Sequence, residues 1–365
     1  GFPLIGGEEI KVKISSPYQE SVFDFTSEDK LFINKKADQI GKDSTREVTI
    51  LNLTSTYDTK AGQTLIKNTL RGRISDLVKK MLQDNFGADC GVDPTKNSIE
   101  IQGGLTPIFE HIIHLARQSR PENGYPGYFF YQTQDGFKFH SIDHLISQPP
   151  VAEYFYTGVL KANVCNDTNG FKIIKYSISD TADSVENLNN GGNSAFISTY
   201  DPKGGTFTAG GVIKNENPNG LGGNSIIFPL PPSEDGESNS SILSTMDTGS
   251  NNPKVSGNPN NPSQTWEAQS KMRYLSLFTQ KLNIQVPCNL KLRVGNVIYC
   301  NFEKISQSNK ASESTDPVQS GKYLIVNLCH HFDPKYSITS MTIVRDTYGK
   351  YSSSLPTSLQ VIPFE

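Results

Sequence analysis

The stretch SGKYLIVNLCHHFDPKYSITSMTIVRD, residues 320–346, constrains the fold more than any other part of the chain. Two runs of alternating apolar and polar character, rich in β-branched and aromatic residues, flank a turn, which is the pattern of a β-hairpin. Successive side chains of a strand point to opposite faces. Alternation therefore predicts Leu324, Val326, Leu328 and His330 on one face, with Tyr323, Ile325, Asn327, Cys329 and His331 on the other. Neighbouring His330 and His331 would point apart and cannot share a metal ion without distortion. Together with Cys329 they read as members of a sheet.

Alternation recurs near the start. Ile10, Val12 and Ile14 alternate with Glu9, Lys11 and Lys13, Val22, Phe23 and Phe25 follow, and EVTILNLTSTY repeats the period, so 1–58 reads as strands. The pattern changes near Asp58–Gln63. RISDLVKKML then places Ile74, Leu77, Val78, Met81 and Leu82 on one face of a helix. A second helix is expected to be capped by Thr106, to carry Pro107 in its first turn, and to bury Ile108, Phe109, Ile112, Ile113 and Ala116. Asp135-Gly136 between the aromatic runs of YFFYQTQDGFKFHSI signals a hairpin. Residues 59–150 thus read as an α/β domain.

Residues 151–230 offer short strands (FKIIKYSIS, SAFISTY) broken by Asn- and Gly-rich segments, a β-rich irregular region. Residues 231–264 are mostly Pro, Ser, Asn, Gly and Asp, and read as a low-complexity loop. WEAQSKMRYLSLFTQ then suggests a helix with Met272, Leu275 and Phe278 at helical spacing. KLNIQVPCNLKLRVGNVIYCNF and the opening hairpin, with a solvated loop over 307–320, complete a domain over 265–346, and 347–365 form a C-terminal extension.

The balance of 34 basic and 37 acidic residues, a formal charge of −3, argues against a dedicated nucleic-acid binder. No apolar run approaches the roughly 18 residues of a membrane span, and no signal peptide is apparent. The opening GFPLIGGEEIKVKI lacks an initiating Met and enters directly into strand alternation, so an incomplete natural N-terminus is expected. Cys90, Cys165, Cys288, Cys300 and Cys329 are odd in number and contain no C-x-x-C pair, neither a disulfide framework nor a zinc knuckle.

Histidines are the other candidates. His111 and His114 share three-residue spacing on what should be the polar face of the Thr106 helix, but EHIIH lacks the internal Glu of H-E-x-x-H. His140 and His144 are similarly weak as ligands. Arg345-Asp346 at a strand end suggests an ion pair or a contact to a neighbouring subunit. Asn52-Leu53-Thr54 is formally a glycosylation sequon, set aside without a secretory signal. No G-x-S-x-G, Walker or dinucleotide motif occurs. No catalytic, cofactor-binding or metal residue is assigned, and no cofactor is expected.

Several stretches together resemble one family. EIKVKISSP…VTILNLTS, ISDLVKKML, LTPIFEHIIHLARQ…YFFYQTQDGFKFHSIDHLISQPP, EAQSKMRYLSLFTQ…LKLRVGNVIYCNF and GKYLIVNLCHHF…YSITSMTIVRD are similar, in order, to the baseplate central hub protein of T-even-type contractile-tailed bacteriophages, a hub family shared with type VI secretion spikes. Residues 151–265 match poorly. The resemblance implies an α+β, mainly β chain. Two tube-type β-barrel domains, 1–58 and 265–346, would flank the α/β insert and a β-rich arm and assemble as a trimeric ring. It implies a non-enzymatic virion protein of the tail baseplate, assembled in the host cytoplasm, that adapts a sixfold tail tube above to a threefold cell-puncturing spike below. Other baseplate proteins would be partners, and genomic DNA would pass the channel without specific binding. A tail-associated zinc-dependent cell-wall hydrolase, resting on the scattered histidines, is the alternative. A carbohydrate-binding tail module, suggested by the aromatics of YPGYFFY and VAEYFYTG, is a third reading.

Overall fold

The structure, a computed structural model, describes residues 6–15, 22–25, 31–40, 47–156, 171–180, 190, 192, 194–201, 206–214, 221, 241–243, 261–303, 316, 319–333 and 336–346. The 347–365 extension and most of the 231–264 and 307–320 loops lie outside these residues.

The N-terminal alternation folds as expected into strands. Glu9–Ile10, Leu31–Ile40 and Glu47–Ser55 form an antiparallel sheet, and Val12–Ser15 pairs with Val22–Phe25 as a separate ribbon. The Glu47–Ser55 strand, which carries Asn52-Leu53-Thr54, runs straight into helix α1 (Thr56–Gln63).

Helix α2 (Ile74–Phe86) buries all five residues its spacing predicts, Ile74, Leu77, Val78, Met81 and Leu82. It stops at Gly87, whose φ of +64° lets its N–H reach back to the Gln83 carbonyl; a residue with a Cβ adopts that conformation at a cost. Helix α3 (Ile108–Gln118) departs from expectation. Thr106 does not cap it, because Thr106 and Pro107 pair with Ile66 and Leu65 as a short strand. Its buried stripe is Ile108, His111, Ile112, Leu115 and Ala116, with Ile113 45% exposed. The stripe rotates because α3 must also pack against helix α5, introduced below, which covers the side the sequence leaves to solvent. The hairpin Tyr128–Thr133/Gly136–Ser141 forms as predicted, with Gly136 at φ +94° after the turn, and Cys90–Val92 adds in parallel. Phe137 is the hub of this core, in ring contact with Tyr57, Phe86, Phe109 and Phe130. Each fully buried large apolar side chain contributes about 1.5–3 kcal/mol. The hairpin leads directly into helix α4 (Ile142–Ser147), capped by the Ser141 hydroxyl accepting from the His144 N–H at 3.1 Å.

The largest sheet has six strands in the order Glu153–Tyr156, Val297–Phe302, Gly321–Phe332, Ser337–Arg345, Gln280–Pro287 and Lys175–Asp180. All pairs are antiparallel except the first. The sheet is therefore not confined to 265–346, since both of its edge strands come from the region read as irregular. It curls until its margins touch: the Ile173 N–H donates to the Phe155 carbonyl at 2.8 Å, and Tyr156 meets Tyr176 edge-on. The concave face holds a continuous core of Tyr154, Leu282, Ile284, Ile298, Phe302, Tyr323, Ile325, Met341 and Ile343, so the chain is mainly β with a half-barrel as its largest unit.

The low-complexity reading of 231–264 also needs correction at two places. Ser241–Leu243 is a strand parallel to Ser194–Asp201, which also pairs with Thr206–Lys214. Helix α5 (Asn261–Leu277) begins inside the segment, because its polar first turns extend the apolar turns that follow. Met272 and Leu277 are buried, but Phe278 lies beyond the helix end and is largely exposed. Helix α5 and α4 pack on the convex face of the half-barrel, where Leu145, Ile146 and Leu277 meet Val297, Leu324 and Val344.

Candidate functional site

Backbone pairing decides which face each hairpin residue occupies. Between Ile325 and Asn327 the register against the Ser337–Arg345 strand slips, leaving Val326 as an extra residue. A bulge of this kind reverses the alternation beyond it. Tyr323 and Ile325 face the concave core, and after the bulge Leu328 and His330 do so. Leu324 and Val326 share the convex side with Asn327, Cys329 and His331. The simple two-face division expected from the sequence holds only up to the bulge. His330 and His331 do point apart. His330 Nδ1 lies 2.8 Å from the Thr339 hydroxyl, and its ring packs against Phe23 of the N-terminal ribbon. Burial, then the positive Arg293, pushes its pKa down to about 4.

Beyond the helices the convex face is polar. Ser177, Asn283, Gln285, Asn327, Ser340 and Thr342 form a shallow depression beside Lys175, with Asn283 accepting from the Thr342 hydroxyl at 2.8 Å. Cys329 opens onto the same surface and, like the buried Cys90 and Cys300, forms no disulfide.

At the other end of the hairpin Arg345 and Asp346 are both buried and serve different partners. Arg345 donates through Nε and Nη2 to Gln280 Oε1 and through Nη1 to the Ser320 carbonyl, and it lies over the Tyr323 ring. Asp346 accepts from the Leu221 N–H at 2.9 Å. Burial pushes its pKa up to about 6 against the opposing pull of hydrogen bonds and of Arg273 and Arg345. Both side chains thus have partners within the chain.

Among the described residues, the α/β domain carries a close grouping of titratable side chains. Asp93, His140 and His144 place one ligand atom each within 4.8 Å of one another. Asp93 Oδ1 lies 3.0 Å from His140 Nδ1 and 3.2 Å from His144 Nδ1, while Oδ2 accepts from the Ser141 N–H at 2.8 Å and its hydroxyl at 3.2 Å. The two imidazoles stack at 4.6 Å, 18° from parallel. Burial raises the Asp93 carboxyl, but the His140 hydrogen bond, the Ser141 N–H and the charges of both histidines outweigh it and hold its pKa below the ordinary value. In the sequence alone His140 and His144 carry only a weak signal. Their four-residue spacing across a strand-to-helix junction resembles no helical motif, and Asp93 lies far away in the chain. Its one local signal was the Ser141 cap that turns the strand into α4.

The neighbouring helix junction is held by Arg273 of α5. Its guanidinium, 1% exposed, donates to Asp143 Oδ1 at 2.6 Å and to the carbonyls of Tyr125 and Pro126. His111 is buried in α3 rather than on a polar face. Burial, then His114, lowers its pKa, and His114 lies beside the Gln118 amide. These two do not converge on a site with any carboxylate among the described residues. The aromatics of YPGYFFY and VAEYFYTG join the cores: Tyr128 and Tyr154 are fully buried.

No protein-family model matches the chain, and no curated protein matches it. Solved structures do. The tail protein from Neisseria meningitidis MC58 superposes with a TM-score of 0.51 at 14% identity, over 86% of this chain and 79% of that one. The 43 kDa tail protein of prophage MuSo2 from Shewanella oneidensis gives 0.47 at 12% identity, over 86% and 78%. The E. coli c3393 protein, a component of the type VI secretion system, gives 0.40 at 9% identity, over 95% and 67%. The chain therefore shares the fold of the Neisseria meningitidis tail protein.

Proposed function

We propose that this chain is a structural protein of a contractile phage tail, the trimeric central hub of its baseplate. The half-barrel sheet carries this reading. Its two margins touch around Phe155 and Tyr176, while Ile178 further along the Lys175–Asp180 strand and Ile174 just before it stay about half exposed, at 46% and 53%. An open strand edge with exposed apolar side chains invites pairing with another chain, and a ring resolves the liability because each neighbour covers the next edge. An obligate interface of this kind commonly buries about 2,000 Å² or more. The fold likeness to the Neisseria tail protein supports the same reading.

In the trimer the half-barrel and the N-terminal strands supply two tube domains per subunit, six in all, matching a hexameric tube above and a trimeric spike below. The polar convex face around Asn283, Asn327 and Thr342 lines the channel. A mixed polar wall without a basic stripe lets DNA pass, because clustered Lys and Arg would gain affinity by releasing counterions. The chain carries out no catalysis. Quantitative mass spectrometry of purified tails tests this assignment: three copies per tail are expected, and six copies or absence from tails contradicts it. The Asp93–His140–His144 grouping favours the competing hydrolase reading. That reading requires the zinc-supplemented chain to release soluble fragments from peptidoglycan, and none is expected.

A further inference from the structure

We propose that Asp93, His140 and His144 form a structural site for one divalent first-row transition ion, zinc foremost. Three observations converge. The ligand types, two imidazoles and one carboxylate, are those zinc takes, and they disfavour the all-oxygen cations calcium and magnesium. The spacing fits: a tetrahedral ion with bonds of about 2.0–2.1 Å sets its ligand atoms about 3.3 Å apart, and Asp93 Oδ1 lies 3.0 and 3.2 Å from the two Nδ1 atoms. The carboxylate is also oriented from behind, since Oδ2 is fixed by the Ser141 N–H and hydroxyl, the kind of outer support that metal-ligating carboxylates carry.

The backbone explains how the ligands meet. His140 is the last residue but one of its strand, Ser141 caps α4, and His144 is the third residue of that helix, so the two imidazoles stack on each other with both Nδ1 atoms beside Oδ1 of Asp93, which follows the Cys90–Val92 strand. Asp93 and His140 are largely buried, whereas the His144 side chain is 47% exposed, giving the ion a path from solvent and a position for water.

The acids lining the adjoining cleft have other duties: Asp143 holds Arg273 and the Tyr125 N–H, and Glu122 pairs with Arg73 at 3.3 Å. The ion's role is to fasten strand, loop and helix together.

The test is zinc titration of the chelator-treated full chain, with a competing chromophoric chelator as readout and thermal unfolding in parallel. One zinc per chain is expected, with a rise in Tm. His144→Ala, a half-exposed position that the fold tolerates, should weaken uptake at least about 10-fold and abolish the Tm rise, while His331→Ala leaves both unchanged. Absence of stoichiometric uptake, equal uptake by His144→Ala and wild type, or calcium binding as well as zinc overturns the proposal.

Discussion

The two ends of the long hairpin share strands, sequence neighbours and hydrogen-bonding pattern, yet they live in different surroundings. At one end Tyr323, Leu324, Ile325, Met341, Ile343 and Val344 are buried, with the half-barrel core on one side and helices α4 and α5 on the other. At the far end Asn327, Cys329, His331 and Phe332 are exposed. The slip at Val326 separates the two regimes. A strand buried on both faces is fixed by packing, whereas one with a free face is available to a partner. The hairpin is an anchor at one end and a surface at the other.

Ile343→Ala at the anchored end is expected to cost the most, about 2–5 kcal/mol in urea denaturation, and a cost near zero would mean that the concave core is loosely filled. Deleting Val326 removes the bulge but not the contrast: Asn327 then follows Ile325 directly and still pairs with Thr342 on the convex face, and Leu328 and His330 stay on the concave one. A loss of about 0.5–3 kcal/mol, from the packing of the partly buried Val326, is expected, and loss of cooperative unfolding would show that the bulge itself holds the far end in place.

Titration sharpens the comparison because the two ends respond to pH with opposite signs. His330 is held near 4, below its ordinary 6.5, so its contribution is present above about 6.5 and is lost as pH falls toward 4. Asp346 is raised from 3.8 to about 6, so its contribution is present below about 4 and is lost as pH rises through 6. Between pH 6.5 and 4.5, His330→Asn should lose less stability than wild type on acidification, and Asp346→Asn should lose more. Identical slopes in both variants would contradict these environments. The smallest effect belongs to the polar surface: Ser340→Ala should change stability by no more than about 0.5 kcal/mol, and a larger loss would place that residue in a packed contact.

What the sequence made legible follows from the range of the interactions involved. The α2 stripe from Ile74 to Leu82 is local periodicity, and every member is buried. The Asp135-Gly136 hairpin is local turn chemistry, and it forms. The α3 stripe failed where burial depends on α5, whose contact with α3 joins distant parts of the chain. The Val326 slip is a property of pairing between strands, invisible in either strand alone. The half-barrel's edge strands were hidden in a region whose Asn- and Gly-rich breaks masked their pairing partners. Asp93 meets His140 and His144 only because the Cys90–Val92 strand pairs in parallel with Gly136–Ser141, and parallel pairing leaves no short-range signature.

The central claim is that neighbouring copies complete the open margin of the half-barrel. Native mass spectrometry of the full chain, alone and with the spike protein that the proposal places below it, tests it most directly. A species of three chains that resists dilution, and that is lost when Ile174 and Ile178 are replaced by Lys, is the predicted result. A chain that stays monomeric under both conditions contradicts it.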